Sequence, residues 1–379
     1  MVSVTVADYR EAARRRLPKM FFEYLDGGSY AEITLKRNVA DMEAVALRQR
    51  VMRDVSKLSM KTEVLGQEMA MPVGLGPVGF SGMFARRGEV QAANAAHKAG
   101  VPFCLSTVGI CSVEEVSQKT EKPIWYQLYM IKDRGFMGEL IQRVQTQKCP
   151  VLVFTVDLPV AGARYRDVRS GMAGAPGLNQ DLYRIWQGVT HPDWLWDVQL
   201  NGKPHTFGNV ASAVTESSGF GSFAGWVARN FDATVTWKDL DWVRERWKGP
   251  ILIKGVLDPE DAREAMRAGA DGLIVSNHGG RQLDGVQSSV RALPGIVDAV
   301  GDQIPVLMDG GVRTGLDVLR ALALGAKACM IGRAWAFPLA AGGGAAVTRM
   351  LNLMRSELAV AMALTGCTDV RKAGRELLA

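Results

Sequence analysis

Residues 272–285 read GLIVSNHGGRQLDG, a short apolar run followed by a polar loop that contains glycines. A β-branched run that ends in this way predicts a buried strand and a loop. In the loop, His278 is suited to exchange protons near neutral pH, and Arg281 carries a fixed fork of donors for a carboxylate or phosphate. Either residue alone would ordinarily be a strand cap or a solvated charge. Together they suggest proton abstraction beside a carboxylate.

The same pattern recurs along the chain. Amphipathic helical patterns separate most of the apolar runs, including residues 113–119, 133–147, 259–268, 288–300 and 316–324. The runs themselves lie at residues 72–76, 101–105, 124–128, 151–156, 251–254, 272–275, 306–308 and 328–331. Strands that alternate with helices eight times predict an α/β fold, a TIM (β/α)8 barrel that forms one domain over residues 1–379.

Two segments fall outside this alternation. Residues 1–70 are predicted to form an N-terminal helical extension, with one helix over about residues 6–17 and a second that begins at Pro18 and ends at Gly27 and Gly28, before a charged, irregular stretch. Residues 166–236 form an insertion after strand four, a length typical of a functional lid or of a partly disordered excursion. Its tryptophans could pack on the barrel, seal an oligomer contact or lie in a lipid interface. They are Trp186, Trp194, Trp196 and Trp226.

Polar residues and tight turns follow nearly every predicted strand. In a (β/α)8 barrel the carboxyl ends of the strands meet at one face, where the active site lies. Strand capping would explain any one of these residues, but a shared cofactor site explains the set better. The set comprises Pro77, Val78, Gly79, Ser106, Gln127, Tyr129, Thr155, Asp157, Lys254, Ser276, His278, Asp309 and Gly332.

Two glycine-containing stretches are candidates for phosphate binding. Residues 74–79 match the dinucleotide pattern G-x-G-x-x-G, but no helix opens directly afterwards and the next strand ends in Ser106 instead of an acid, so we reject a nicotinamide site. The loops after strands seven and eight place glycine amides and two arginines where such barrels often hold a phosphate. These residues are Asp309, Gly310, Gly311, Arg313, Gly332 and Arg333.

Composition narrows the class of protein. The 45 basic and 39 acidic residues are too nearly balanced to indicate nucleic-acid binding. The five cysteines lack C-x-x-C spacing and, with four scattered histidines, predict a reduced cytosolic protein without a metal site. Charged residues stand where a secretion signal would be apolar, and no apolar run reaches the roughly 20 residues of a membrane span, so membrane contact would be peripheral.

Three motifs, SNHGGRQLD at 276–284, LVFTVD at 152–157 and DGGVR at 309–313, resemble the FMN-dependent L-2-hydroxy acid dehydrogenases and oxidases. The likeness covers nearly the whole chain, and the first motif is highly specific. It is greatest to the branch of bacterial respiratory L-lactate dehydrogenases. That branch is indicated by VALRQR at 45–50, ARRGEVQAA at 85–93 and GARYRD at 162–167.

The resemblance implies roles for individual residues. His278 would be the base and Asp157 would orient it, while Arg281 and Tyr24 would bind the substrate carboxylate. The hydroxy acid would also contact Tyr129 and Arg164, and Lys254 would lie beside the pyrimidine edge of the flavin. The isoalloxazine and ribityl chain would be held by Pro77, Val78, Gly79, Ser106, Gln127, Thr155 and Ser276, and the phosphate by the last two loops.

The resemblance also implies a substrate and partners. Val108 would face the substrate's tail and leave room for a methyl group, so L-lactate is expected, with mandelate or a longer 2-hydroxy acid as the alternative. Electrons would pass to a quinone at the cytoplasmic face of the inner membrane, or to oxygen in a soluble cytoplasmic oxidase. A homotetramer is implied. Another phosphate-binding barrel would leave Tyr24, Tyr129, Arg164 and Arg281 unexplained, and a non-catalytic membrane scaffold would leave His278 and Asp157 without a role.

Overall fold

Eight parallel strands form the centre of the fold in a computed structural model, which describes residues 3–173, 178–211, 226 and 229–379. Each strand pairs with the next along the chain, and a parallel bridge between Leu75 and Phe103 joins the first pair and closes the circle. The predicted TIM (β/α)8 barrel is therefore confirmed. The strands are β1 Val73–Leu75, β2 Cys104–Ser106, β3 Trp125–Leu128, β4 Leu152–Thr155, β5 Ile251–Val256, β6 Gly272–Val275, β7 Val306–Met308 and β8 Cys329–Ile331.

The barrel interior is filled by alternate side chains of the strands, among them Val153, Leu252, Ile274 and Leu307, all fully buried. The intervening side chains face the surrounding helices, which explains why the strands read as continuous apolar runs. A hairpin of Thr62–Val64 and Gln67–Met69 adds Val64 and Met69 to the interior cluster.

Helices surround the barrel. The five predicted helical patterns are confirmed to within two residues at each end. The helices that flank the strands are Gly88–Ala99, Val113–Gln118, Arg134–Thr146, Lys238–Arg246, Pro259–Arg267, Ser289–Val300, Gly315–Ala323 and Arg333–Thr365. The last of these is kinked at Gly342 and Gly343.

The N-terminal extension contains more structure than the sequence predicted. Its first two helices, Val6–Arg16 and Lys19–Asp26, agree with prediction. The stretch interpreted as irregular holds a third helix, Ile33–Glu43, as well as the hairpin. That interpretation was wrong because a tertiary contact defines the helix start: Asp284, in the loop after β6, accepts hydrogen bonds from the amides of Ile33 (3.2 Å) and Thr34 (2.7 Å).

Much of the described part of the insertion is helical. It contains Tyr165–Arg169, Leu178–Val189, Pro192–Trp194 and a π-helical turn at Leu195–Leu200. Residues 174–177, 212–225 and 227–228 of the insertion lie outside the described residues. Its tryptophans divide into a buried pair, Trp194 and Trp226, and an exposed pair, Trp186 and Trp196. Packing therefore accounts for only half of them.

No helix in the described ranges is both long enough and apolar enough to cross a membrane.

Candidate active site

A cavity of about 380 Å³ opens at the carboxyl ends of the strands, a size typical of small-molecule sites. It lies where the sequence placed the site. The residues predicted for the site that line it are Tyr24, Pro77, Val78, Gly79, Val108, Tyr129, Thr155, Arg164, Lys254, His278, Arg281, Asp309, Gly310, Gly311, Arg313, Gly332 and Arg333. Asp157, Ser106 and Ser276 are not in its lining but hydrogen-bond to residues that are, and Gln127 hydrogen-bonds to Ser106.

His278 and Asp157 form a hydrogen-bonded pair at one side of the cavity. The distance from His278 Nδ1 to Asp157 Oδ1 is 2.8 Å, so with the proton on Nδ1 the ring donates to the carboxylate. The other ring nitrogen, Nε2, lies 3.4 Å from the Tyr129 hydroxyl. This geometry leaves Nε2 as the proton acceptor of the pair.

Burial and neighbouring groups together determine the charges of His278 and Asp157. Burial lowers the pKa of His278, and the nearby Lys254 and Arg164 charges act in the same direction against Asp157. Burial alone would raise the pKa of Asp157, but the interactions with His278 and with the charged Lys254 outweigh it and keep that pKa below its ordinary value. The resting pair is therefore a neutral imidazole beside a carboxylate, as a base requires.

Two backbone features bring the pair together. His278 has φ 58°, in the left-handed region that few residues other than glycine adopt. Gly255 in β5 has φ 112°, and a Cβ there would lie 2.5 Å from Asp157 Cβ. Only glycine thus lets the Asp157 side chain pack against β5. The sequence pattern ended this strand at residue 254 and did not single out Gly255.

Arg164 and Arg281 bring two guanidinium groups to the cavity. Arg281 Nη1 donates to the carbonyls of Tyr24 (2.6 Å) and Gly27 (2.8 Å), and its guanidinium lies over the Tyr24 ring at 4.7 Å. Arg164 Nε donates to the Arg281 carbonyl at 3.3 Å. Burial, followed by the Arg281 charge, lowers the pKa of Arg164. Two desolvated cations that line the same cavity favour a bound carboxylate.

Lys254 lines the cavity and remains charged. Its Nζ donates to Ser276 Oγ at 2.9 Å and is 3.3 Å from Asp309 Oδ2. Burial opposes the charge, but Asp309 and Asp157 outweigh burial and raise the pKa of Lys254. Asp309 was predicted for the phosphate loop, and its carboxylate contacts this lysine instead of an arginine. It is therefore an acceptor for hydroxyl or ring N–H groups.

The far end of the cavity is strongly cationic. Arg333 donates to the carbonyls of Leu25, Gly27 and Gly279, at 2.7 to 3.0 Å. Burial, then the charges of Arg281 and Arg313, lowers the pKa of Arg333. Burial also lowers the pKa of Arg313 to about 10. An excess of buried guanidinium charge indicates a site for an anion such as a phosphate.

Asn38, in the helix that the sequence did not predict, is a further site residue that was missed. Its amide exchanges hydrogen bonds with Asn277 at 2.8 and 2.7 Å. Gly310 and Gly311 both have positive φ, and a Cβ on Gly311 would lie 2.2 Å from the Asn38 carbonyl oxygen. Asn38 therefore fixes both the loop of His278 and the glycine turn after β7. No local pattern marks it, because its partners lie more than 230 residues away.

The family model described as FMN-dependent dehydrogenase matches residues 13–379. The chain belongs to this family. The L-lactate dehydrogenase of Caulobacter sp. (strain K31) is 56% identical over 379 residues, which is 100% of this chain and 99% of that protein. The solved structure of the monotopic membrane protein (S)-mandelate dehydrogenase has a TM-score of 0.92 and 35% identity, with 100% of both chains covered. A solved structure of mandelate oxidase has a TM-score of 0.84 and 36% identity, with 100% of this chain and 98% of that chain covered.

FMN is the cofactor of the family, and the cavity fits it. Two lining residues carry buried polar atoms without a hydrogen-bond partner among the described residues, Thr155 Oγ1 and Asp309 Oδ1, and Gln127 Nε2, outside the lining, is a third such atom. A ring system with amide and carbonyl groups and a hydroxylated chain would satisfy such donors and acceptors. The guanidinium groups of Arg313 and Arg333 beside the glycine turns match a terminal phosphate.

Proposed function

We propose that this protein oxidises L-lactate to pyruvate with bound FMN and passes the electrons to a quinone at the membrane surface. The observation that carries the proposal is the neutral His278 imidazole, oriented by Asp157, facing a cavity that also presents Arg164 and Arg281. The Caulobacter relative named L-lactate dehydrogenase supports the choice of substrate.

Asp157 and His278 would handle the substrate proton. The Nδ1–H bond to Asp157 fixes the tautomer, so that Nε2 accepts a proton from the hydroxy acid. The resulting imidazolium is stabilised by the carboxylate 2.8 Å away. The Tyr129 hydroxyl, 3.4 Å from Nε2, would donate to the substrate oxygen on the same side of the site.

Arg281 and Arg164 would hold the substrate carboxylate. Arg281 is already anchored to two backbone carbonyls through Nη1, which leaves Nε and Nη2 for a bidentate contact. The Tyr24 ring packs against the Arg281 guanidinium, and Tyr24 also lines the cavity. A fixed carboxylate would place the substrate hydroxyl beside His278 and lower the entropic cost of reaching the reactive geometry.

FMN, when bound, supplies the acceptor for the two electrons that leave the hydroxy acid. Lys254 would lie against the flavin pyrimidine edge, where its cation favours negative charge on the ring. The pyrimidine would also contact Thr155 and Gln127, and Asp309 would accept from the ribityl chain. The phosphate would lie between Arg313, Arg333 and the amides of Gly310 and Gly311.

The tail of the substrate would meet an apolar wall. Val108 and Tyr24 lie close to Gly79, since a Cβ on Gly79 would be 2.8 Å from Val108 Cγ2 and 3.3 Å from the Tyr24 hydroxyl. Leu158 and Met172 also line the cavity. This wall suits a methyl group, which supports L-lactate. The mandelate enzymes among the structural neighbours favour an aromatic 2-hydroxy acid as the second candidate.

The insertion supports a location at the cytoplasmic face of the inner membrane. Its helix Leu178–Val189 exposes four apolar side chains at positions i, i+3, i+4 and i+7, namely Leu182, Ile185, Trp186 and Val189. Such a stripe on an otherwise polar helix is typical of helices that lie in a lipid interface. Membrane contact would bring the site near a quinone. Oxygen is the alternative acceptor, and a homotetramer is proposed on family likeness alone.

Anaerobic titration of the purified, flavin-loaded protein tests this function. L-Lactate should bleach the flavin absorbance and yield one pyruvate for each flavin reduced. If mandelate bleaches the flavin and lactate does not, mandelate would replace lactate as the proposed substrate. A protein that takes up no FMN, or that no 2-hydroxy acid bleaches, would contradict the proposal.

A further inference from the structure

The insertion returns to the barrel beside the strand end that carries Tyr129. Phe231 and Ile131 pair as an isolated antiparallel bridge, flanked by backbone hydrogen bonds of 2.8 and 3.1 Å. Arg134 adds a side-chain contact of 2.6 Å to Asp232, the next residue along. The backbone of Phe231 is thus held in register with the segment that directly follows Tyr129.

The Phe231 side chain lies against the Tyr129 ring. The ring centroids are 5.0 Å apart with an interplanar angle of 37°, and Phe231 is only 4% exposed. Trp226, also in the insertion, packs edge-on against Phe231 at 5.9 Å. Tyr129 in turn stacks on the His278 ring at 6.5 Å and 20°. A continuous row of aromatic rings therefore runs from the insertion to the base.

Tyr129 depends on this packing for its position. Its hydroxyl approaches His278 Nε2 at 3.4 Å, too long for a strong hydrogen bond, and forms no other hydrogen bond among the described residues. Burial, followed by the Asp157 charge, raises the pKa of Tyr129, so the hydroxyl keeps its proton and acts as a donor. What fixes the direction of that donor is the contact of the ring with its neighbours, and Phe231 also lines the cavity.

We propose that Phe231 is a positioning residue that holds the Tyr129 hydroxyl toward the substrate, and so couples the insertion to the reaction. The proposal rests on the function proposed above. It goes further by assigning a role in turnover to a residue of the insertion that has no reactive group of its own. Loss of an aromatic pair costs enough to change turnover about 2- to 10-fold.

A double-mutant cycle on kcat for L-lactate tests the coupling. Phe231→Leu should lower kcat about 5-fold, and Tyr129→Phe about 10- to 100-fold through loss of the donor. If Phe231 acts through the Tyr129 hydroxyl, adding Phe231→Leu to Tyr129→Phe should change kcat less than about 2-fold. Independent effects that multiply in the double variant would overturn the proposal.

Three comparisons separate positioning from general damage. Phe231→Tyr, which keeps the ring, should restore kcat to within about 2-fold of the parent. Phe136→Leu makes the same change on the helix Arg134–Thr146, away from the cavity, and should leave kcat unchanged. If Phe231→Leu loses FMN or folds poorly, Phe231→Met replaces it in the cycle.

A rise in KM with kcat unchanged would contradict the proposal, whereas a parent enzyme inactive with every 2-hydroxy acid would contradict the proposed function instead.

Discussion

Asp157 Oδ1 lies 2.8 Å from His278 Nδ1, and the two residues come from strand ends 121 positions apart in the sequence. Gly255 makes this approach possible, since any side chain there would overlap Asp157. The remaining carboxylate oxygen, Asp157 Oδ2, is buried without a hydrogen-bond partner among the described residues. The carboxylate is therefore committed to the imidazole, and the properties of the pair follow from that single contact.

His278→Gln should abolish the proposed base while preserving the cavity. We expect flavin reduction by L-lactate to slow by about 100- to 10,000-fold, because the amide cannot accept the substrate proton. FMN content should be unchanged, since the residues proposed to hold the flavin are untouched. Stopped-flow absorbance under anaerobic conditions measures the rate. Reduction at the parent rate would move the role of base to another residue.

Asp157→Asn should preserve the size of the side chain but remove its charge. The amide can donate to Nδ1 and stabilise the wrong tautomer, so that Nε2 carries a proton and no longer accepts one. Reduction should slow at least about 100-fold, with pyruvate still bound as in the parent. Gly255→Ala serves as a second approach, because it displaces the same carboxylate without changing its charge. A parent-like rate in both variants would show that the pair is not required.

The pH dependence of kcat/KM should report the burial of His278. Because burial lowers its pKa, the neutral base persists below the ordinary histidine range, and activity should fall only below about pH 6.5. At pH values below this acid limb, the His278 imidazole is protonated and cannot accept a proton. The Asp157 charge raises the pKa of His278, so the residual activity of Asp157→Asn should show its acid limb at still lower pH. A shift of the limb to higher pH would contradict this assignment.

The strand ends could be predicted from the sequence because each is a local pattern, an apolar run that stops at a polar residue. His278, Lys254 and Asp309 were found in this way, and the parallel barrel then brings them to one face. The family likeness added Tyr24 and Arg164, which lie outside the strand ends. The order of the strands required no long-range information.

Residues that act through distant contacts could not be found. Asn38 lies in a helix whose start is defined by a hydrogen bond from Thr34 to Asp284, 250 positions away in the sequence. Phe231 was one aromatic residue in a segment rich in them, and its significance depends on which ring it touches. Gly255 became informative only when Asp157 was seen against it. These are tertiary relations, which propensity and spacing do not encode.

Val108 should set the size of substrate that the site accepts. Its side chain lines the cavity next to Gly79, where a Cβ would be 2.8 Å from Val108 Cγ2, so Val108→Trp would fill the space proposed for the lactate methyl group. The ratio of kcat/KM for lactate to that for glycolate should fall at least about 10-fold. Val108→Ala should instead raise the ratio of kcat/KM for mandelate to that for lactate. Ratios that do not change in either variant would place the substrate tail elsewhere in the cavity.

The helix Leu178–Val189 should determine membrane attachment. Ile185 and Trp186 are 62% and 60% exposed, and burial of each in the lipid interface would contribute about 1.5 to 3 kcal/mol. Ile185→Ser with Trp186→Ser should therefore reduce sedimentation with lipid vesicles at least about 10-fold. Turnover with a soluble dye should remain, because neither residue lines the cavity.

A matched pair of exposed apolar residues provides the control. Val360 and Leu364, four residues apart on the helix Arg333–Thr365, are 58% and 55% exposed, and their replacement by serine should leave sedimentation unchanged. Deletion of residues 173–223, which include the undescribed segment 174–177 and most of 212–225, should also release the protein from vesicles. Equal sedimentation of the parent, the serine variants and the deletion would contradict attachment through the insertion and favour an acceptor in solution such as oxygen.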